Sequence, residues 1–208
     1  MKTMIGVACF TVLVAAAASA QAQDTSMSFF IISAGPGDGA NLGGLEGADA
    51  HCQKLAEAAG ASGKTWHAYL SSSTANARDR IGSGPWYNVK GELIANNLDE
   101  LHGDANKISK QTGLTESGNP VNGRGDEPNT HDILTGSNAD GTVAAGMTCD
   151  DWTNNGAGQA FVGHHDRIGR NDDAPSKSWN ASHPSRGCGK DDLPKSGGNG
   201  LFYCFAAN

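Results

Sequence analysis

The densest group of residues that could carry out chemistry is the run His164-His165-Asp166-Arg167. Imidazole and carboxylate groups bind zinc and exchange protons near neutral pH, so the run is a candidate metal or acid/base cluster. Consecutive residues on a strand point to opposite faces, which predicts that His164 and His165 do not ligate one metal. His183 becomes a third ligand only if its loop folds back. Because zinc needs three or four converging ligands, a structural or surface role is favoured.

Side chains with hard oxygen atoms are concentrated between Cys149 and Cys188. Calcium is bound by several oxygen ligands of this kind, including charged ones. Calcium is therefore a candidate ligand, and its predicted carboxylates are Asp166, Asp172 and Asp173. No Asp-x-Asp-x-Asp-Gly loop is present. The alternative interpretation is that these Asp and Asn residues are solvated turn formers.

The same interval is predicted to carry a ligand-binding surface. Sugars are usually held by planar polar side chains together with one aromatic face, and this interval offers both. The predicted ligand-binding residues are Asn154, Asn155, His165, Arg167, Asp172, Asp173, Trp179 and Asn180. For the tryptophan, a structural plug is an equally favoured interpretation.

Signatures of enzymatic catalysis are missing from the sequence. It contains no Gly-x-Ser-x-Gly elbow and no recognisable Cys-His arrangement, and no phosphate-cradling glycine-rich loop follows a strand into a helix. We therefore expect no catalytic activity. A metal-dependent hydrolase that uses His164, His165, Asp166 and His183 is the last alternative.

The N-terminus and the overall charge indicate the class of protein. Residues 1–22 combine an early lysine, an apolar core at 5–18 and small-x-small cleavage sites, a pattern typical of a signal peptide. We expect a single domain at 23–208 that is secreted or periplasmic and does not insert into a membrane. The chain has 15 basic and 22 acidic residues and a formal charge of −7, which argues against nucleic acid as a partner.

Four cysteines follow the predicted signal peptide, and an even number in an exported protein predicts two disulfides. Sequence alone leaves three pairings open. Cys52 lies on the apolar face of a helix predicted at 47–60. Cys204 lies at the centre of the apolar run 201–205, which would fray as a terminal strand unless it were paired on both sides. These positions favour Cys52 as the partner of Cys204.

Short apolar runs separated by turns rich in Gly, Asn, Asp and Ser predict a loop-rich α+β fold, and 29 glycines support this. Strands are predicted at 29–32, 66–70, 85–89, 92–94, 133–136, 161–162 and 201–205. A second short helix is predicted from residue 73 or 74 to residue 81. The polar stretch 99–130 is predicted to be a surface excursion without regular structure.

Several segments occur in an order typical of one known fold. They are Gly47-Ala48-Asp49 through Cys52, Ala58-Ala59-Gly60, Ala68-Tyr69-Leu70-Ser71-Ser72, Val89-Lys90-Gly91-Glu92-Leu93, Thr135-Gly136-Ser137-Asn138-Ala139-Asp140-Gly141, Cys149 and Trp152. In this order they resemble the endostatin domain of collagens XV and XVIII, a variant of the C-type lectin fold. The block Ser178-Trp179-Asn180, Cys188 and Tyr203-Cys204 is similar to exported bacterial lectin-like proteins of that superfamily.

The resemblance implies an α+β C-type lectin-like fold with short antiparallel strands, two short helices, long loops and two nested disulfides. The implied pairs are Cys52–Cys204 and Cys149–Cys188. It also implies an exported carbohydrate-binding or adhesive module whose partner is a glycan or another cell-surface or extracellular ligand. A protein-binding or envelope structural module without a sugar site is the alternative.

The calcium-dependent sugar site of C-type lectins is carried over only in part. The motif Glu127-Pro128-Asn129 precedes the strand that it should follow, and Ala181 stands where a carboxylate ligand belongs after Trp179-Asn180. A calcium-bridged sugar is therefore not expected at the usual place. No cofactor is certain, and calcium stays a candidate only.

Overall fold

A computed structural model describes residues 26–208, so the predicted signal peptide at 1–22 lies outside the described residues. The described chain is a mixed α+β fold with few helices and two disulfides. Within this part of the chain, no helix has the length and apolar character needed to cross a membrane.

The elements are short and are separated by long loops. The strands are β1 Phe29–Ile31, β2 Trp66–Ala68, β3 Trp86–Tyr87, β4 Leu93–Ala95, β5 Asp132–Leu134, β6 Phe161–His164, β7 His183–Pro184 and β8 Gly198–Ala206. The right-handed helices are α1 Gly44–Ala58 and α2 Leu98–His102. Single 3₁₀ turns lie at Ala77–Asp79, Pro175–Lys177 and Leu193–Lys195.

Strand β8 is the centre of the main sheet. It pairs antiparallel with β1 along one edge, while its other edge pairs with β5 in parallel and with β2 in antiparallel fashion. Strands β6 and β7 extend the sheet beyond β5. Phe202, Tyr203 and Phe205 are fully buried because both faces and both edges of β8 are covered. The predicted need for pairing on both sides of the terminal run is confirmed.

Helix α1 packs on this sheet through a narrow face of small residues. Ala48, Cys52 and Ala56 recur at helical spacing and are all buried, which lets the helix approach β2 and β8 closely. Gly60 follows the helix with a φ of 85°, the left-handed conformation that ends helices. Cys52 on this face is bonded to Cys204 of β8, so the predicted pair is confirmed.

The second disulfide, Cys149–Cys188, closes the loop that carries β6 and β7 and confirms the other implied pair. The chain at Cys149–Trp152 forms one turn of left-handed helix, with φ between 48° and 67°. Left-handed backbone costs about 1–2 kcal/mol for each non-glycine residue. Here the turn is held by buried Trp152, whose Nε1 donates to the Ser71 carbonyl, and by Asp151, which accepts from the Ser73 amide.

Some predicted elements differ from the observed ones. The second helix was wrong, because residues 73–81 form only the 3₁₀ turn Ala77–Asp79. The Arg80 guanidinium donates to the Ala68 carbonyl and to Asp49, which holds this segment against β2 and α1.

Helix α2 lies in the stretch where no element was predicted, since five residues are too few to show a period. The pairing of β5 with β8 is parallel, so the sheet is not purely antiparallel.

We expect the Cys52–Cys204 bridge to stabilise the fold more than Cys149–Cys188. Cys52–Cys204 joins residues 152 positions apart, and Cys149–Cys188 joins residues 39 positions apart. The loss of loop-closure entropy in the unfolded chain corresponds to about 5 kcal/mol for the first bridge and about 4 kcal/mol for the second. Paired replacement by serine, Cys52→Ser with Cys204→Ser and Cys149→Ser with Cys188→Ser, followed by urea unfolding, measures both. If the Cys149→Ser, Cys188→Ser variant lost more unfolding free energy than the Cys52→Ser, Cys204→Ser variant, the expectation would be wrong.

Candidate metal centre

Strand register brings one acidic and two basic side chains to the same face of the sheet. Asp132 on β5 lies directly opposite His164 on β6, and His183 on β7 lies opposite Val162. Residues 162 and 164 share a face because side chains alternate along a strand. His183 therefore joins Asp132 and His164 on that face. His131 lies just before β5, and the chain there turns its ring to the same place.

The four side chains converge on one oxygen atom, Oδ1 of Asp132. Its distances to the Nε2 atoms of His131, His164 and His183 are 3.2, 3.3 and 3.5 Å. The Nε2 atoms of His164 and His183 are 3.1 Å apart. Donor atoms of His131, Asp132 and His164 all lie within 4.8 Å of one another. Ligand bonds of about 2.0–2.1 Å to a tetrahedral ion would separate neighbouring donors by about 3.3 Å, which matches these spacings.

Each imidazole is oriented by a hydrogen bond from its other nitrogen. Nδ1 of His131 donates to Oδ1 of Asp166 at 3.2 Å, and Nδ1 of His164 donates to the Ser176 carbonyl at 2.8 Å. Nδ1 of His183 donates to the Pro184 carbonyl at 3.0 Å. The three acceptors hold a proton on every Nδ1, and the three Nε2 atoms face Asp132. This is the outer-shell arrangement of metal-binding histidines.

Asp132 is a buried carboxylate without a hydrogen-bond donor. Its side chain is 1% exposed, and neither Oδ1 nor Oδ2 receives a hydrogen bond, although three ring nitrogens are close. Burial raises the pKa of Asp132, but interaction with protonated imidazoles at His164, His183 and His131 outweighs burial and lowers the pKa to about 2. The carboxylate is therefore an anion in a site that offers it only Nε2 atoms. A buried anion is costly unless a cation lies beside it.

Asp166 supports the centre from behind His131. Burial raises the pKa of Asp166, whereas the hydrogen bond from His131 and the amides of Arg124 and Ile168 lower it to about 2. The Arg124 amide donates to Oδ2 at 2.6 Å and the Ile168 amide to Oδ1 at 3.1 Å. An ionised Asp166 fixes the tautomer and the orientation of His131, as outer-shell carboxylates do in zinc sites.

The cluster opens into a polar cavity of about 670 Å³. His131, His164 and His183 form part of its wall. The side chain of His183 is 36% exposed, whereas those of His131 and His164 are buried. A cation held by the buried ligands would therefore face the cavity on the side of His183.

The predicted calcium ligands do not come together. Asp166 is engaged by His131, Asp172 pairs with Lys177, and Asp173 accepts from the Ser176 amide. In residues 26–208, these three carboxylates form no group within metal-binding distance of one another. They are separated because Asp166 faces inward from the end of β6, while the other two lie on an exposed loop.

Trp179 and Asn180 lie in the core of the domain. Trp179 is 3% exposed, and its Nε1 donates to the Leu101 carbonyl at 3.0 Å. The Asn180 amide donates to the Tyr69 hydroxyl and to the carbonyls of two residues in the turn after β5. Trp179 is therefore a structural core residue and not an exposed stacking surface, because its ring is covered.

The other predicted ligand-binding residues are dispersed. Asn155 donates to Asp38, and Asn154 donates to the Ala157 carbonyl within its own turn. His165, one residue past the end of β6, is buried and donates to the Asn122 carbonyl, and it does not join His164 in the candidate metal group of the described residues. Arg167 donates to the carbonyls of Ile108 and Lys177 and so ties two loops together. These side chains do not form one continuous surface.

Two of the four metal-binding candidates, His131 and Asp132, escaped the sequence analysis. They lie between the polar stretch predicted at 99–130 and the strand predicted at 133–136, so neither prediction included them. The signal that could have found them is an adjacent His-Asp pair immediately before a short apolar strand. The loop that carries His183 does fold back, since β7 pairs with β6.

Comparison with protein-family models gives no match for this chain. Comparison with curated proteins gives none either. The resemblance to the endostatin domain therefore rests on the sequence segments themselves, and function is argued from the geometry of the described residues.

We expect Trp179→Ala to destabilise the protein by about 3–5 kcal/mol, because it removes a buried aromatic ring and leaves the Leu101 carbonyl unpaired. Asp172→Asn combined with Asp173→Asn should change the unfolding free energy by about 0.5 kcal/mol or less, since both side chains are exposed. Urea unfolding of both variants measures this contrast. A near-neutral Trp179→Ala variant would show that the ring is not a core element.

Proposed function

We propose that this protein binds a zinc ion through His131, Asp132, His164 and His183. One observation carries the proposal: three oriented imidazole nitrogens converge on a buried carboxylate that receives no hydrogen bond. Lone pairs that face one another in a buried site repel unless a proton or a metal cation lies between them. A divalent metal supplies the missing charge and accepts all four lone pairs.

The chemistry of the ligands favours zinc over calcium or magnesium. Three imidazoles and one carboxylate suit zinc, copper and nickel, whereas calcium and magnesium prefer sites built from oxygen atoms. Asp132 lies 3.2–3.5 Å from all three rings, and the residues whose ligand atoms all lie within 4.8 Å of one another are His131, Asp132 and His164. The four cysteines take no part, because both pairs are disulfides. Zinc is the first metal to test among those that the ligands suit.

We propose in addition that the domain is a C-type lectin-like module of the endostatin variant that is exported and binds an extracellular ligand. The nested disulfides, the short strands and the long loops support this fold. The role in ligand binding is supported by the open polar cavity beside the metal centre. Binding of a glycan or adhesion to a cell surface stays the favoured biological context, and a protein-binding or envelope structural module stays the alternative.

The buried position of Trp179 changes where a ligand would be held. A sugar needs an exposed aromatic face or several free polar groups, and Trp179 offers no exposed face. The cavity at the metal centre is lined by the polar side chains of Gln159, Asn171 and Ser182. We therefore place the proposed ligand site at this cavity rather than on the loop that carries the tryptophan.

The exposure of the centre supports a second candidate function, a zinc-dependent hydrolase. Catalytic zinc sites combine three protein ligands with an open position for water. Here His131, Asp132 and His164 are the buried ligands, and His183 lies at the mouth of the cavity. The earlier hypothesis of a hydrolase included His165 and Asp166, but these two residues point away from the centre or support it from behind.

We expect the protein to bind one equivalent of zinc and to lose that binding when Asp132 is replaced by Asn. Asp132→Asn keeps the shape of the side chain but removes its charge, so zinc affinity should fall by roughly 100-fold or more, beyond the loss typical of outer-shell changes. Isothermal titration calorimetry and elemental analysis measure affinity and stoichiometry. Zinc at a hundredfold excess over its dissociation constant should stabilise the wild-type fold by about 2.7 kcal/mol.

Two further variants distinguish the direct ligands from their support and from unrelated histidines. Asp166→Asn should weaken zinc binding by about 10–100-fold, because it removes only the partner of His131. His51→Gln serves as the control, since His51 lies on α1 and contacts the Ala34 carbonyl. Equal zinc affinity in the wild type and in a folded Asp132→Asn variant would exclude this centre.

If the centre is hydrolytic, zinc-loaded protein should cleave an activated ester such as p-nitrophenyl acetate faster than the metal-free protein. The rate should also fall as the pH decreases, since a zinc-bound water ionises near pH 7. Equal rates in zinc-loaded wild type and in the Asp132→Asn variant would remove the hydrolase and leave the binding module.

A further inference from the structure

The cavity beside the metal centre is lined by three arginines, Arg124, Arg170 and Arg186. All three are exposed to solvent. The chain as a whole carries a formal charge of −7, so the concentration of positive charge in this cavity runs against the overall charge of the protein.

These arginines differ from the others in the described chain. Residues 26–208 contain six arginines, and Arg78, Arg80 and Arg167 each donate hydrogen bonds to carbonyl or carboxylate groups. Within the same range, the guanidinium groups of the three cavity arginines form neither a salt bridge nor a hydrogen bond. The arginines without a protein partner are thus the ones that line the cavity.

The remaining cavity wall is polar. Apart from two prolines, it is built from the imidazoles and from hydroxyl, amide and carboxylate side chains, namely those of Gln159, Asn171, Asp173, Ser176, Ser182, Ser185 and Ser196. The carboxylate of Asp173 is already engaged, because it accepts from the Ser176 amide and side chain. An apolar ligand would find little complementary surface here. A hydrophilic anion would find donors on several sides.

We propose that the cavity binds a phosphoryl group, with its oxygens on the arginine side chains beside the zinc ion. This inference rests on the proposed zinc site. Guanidinium groups match phosphate oxygens through paired N–H donors. Three guanidinium groups offer more donors than the two oxygens of one carboxylate can accept, whereas a phosphoryl group has more acceptor oxygens. Metal and arginine together form a common clamp for phosphoryl oxygens. The donor groups are compatible with both free phosphate and a phosphomonoester.

The test begins with zinc-loaded protein whose metal content has been measured in the same sample. Inorganic phosphate and phenyl phosphate are titrated into it by calorimetry, with acetate as the carboxylate comparison. We expect both phosphates to bind at least about tenfold more tightly than acetate, and at least about tenfold more tightly than they bind metal-free protein. If phenyl phosphate binds and free phosphate does not, the proposal of a general phosphoryl site is overturned.

Arg170→Gln and Arg186→Gln should each weaken phosphate binding by roughly tenfold while the zinc content stays at one equivalent. Lys190→Gln is the control, because it removes the same charge from an exposed site that lies outside this cavity. Unchanged phosphate affinity in both arginine variants, with zinc bound, would overturn the phosphoryl site and leave the zinc site intact. Absence of zinc from the wild-type protein would instead overturn the proposed function itself.

Discussion

The double-sided pairing of β8 is the constraint on which the rest of the structure depends. This strand pairs with β1, β2 and β5, and its covalent tie to α1 through Cys204 holds the first helix against it. The elements that meet on β8 are only three to fifteen residues long, too short to be stable alone. Their stability therefore comes from burial against one shared strand and from the disulfides.

The metal centre depends on β8 indirectly, through β5. β5 is held by β8 on one side and by β6 on the other, and this fixes Asp132 opposite His164. β7 then adds His183 at the end of the sheet. Because the ligands lie on paired strands rather than on a flexible loop, their spacing is set before any ion binds, which lowers the entropic cost of metal binding.

The charges of the site follow a consistent physical logic. Asp132 and Asp166 are both buried anions, and each is compensated in a different way. Asp166 receives two backbone amides and the Nδ1 proton of His131, so it is satisfied within the protein. Asp132 receives no donor and faces only ring nitrogens. A site that satisfies its supporting carboxylate and leaves its central one without a donor is arranged for a cation.

Sequence patterns predicted the parts of the fold that local chemistry controls. The alternation of buried residues in α1, the hydrophobic terminal strand and the even number of cysteines are local signals, and they correctly placed Cys52 against Cys204. The expectation that His164 and His165 would not ligate one metal agrees with the described group, which contains His164 and not His165. The second short helix was misassigned, because the contacts of Arg80 with β2 and α1 overrode a weak local propensity.

The candidate metal centre was decided by the tertiary structure. His131 and Asp132 are separated from His164 by more than thirty residues and from His183 by more than fifty. Their approach depends on the register of β5, β6 and β7, which short strands of two to four residues do not encode locally. Burial likewise decided the role of Trp179, since a loop sequence does not reveal which other loops will cover it. Sequence thus determined which chemical groups are available, and the pairing of strands across long separations determined which of them meet.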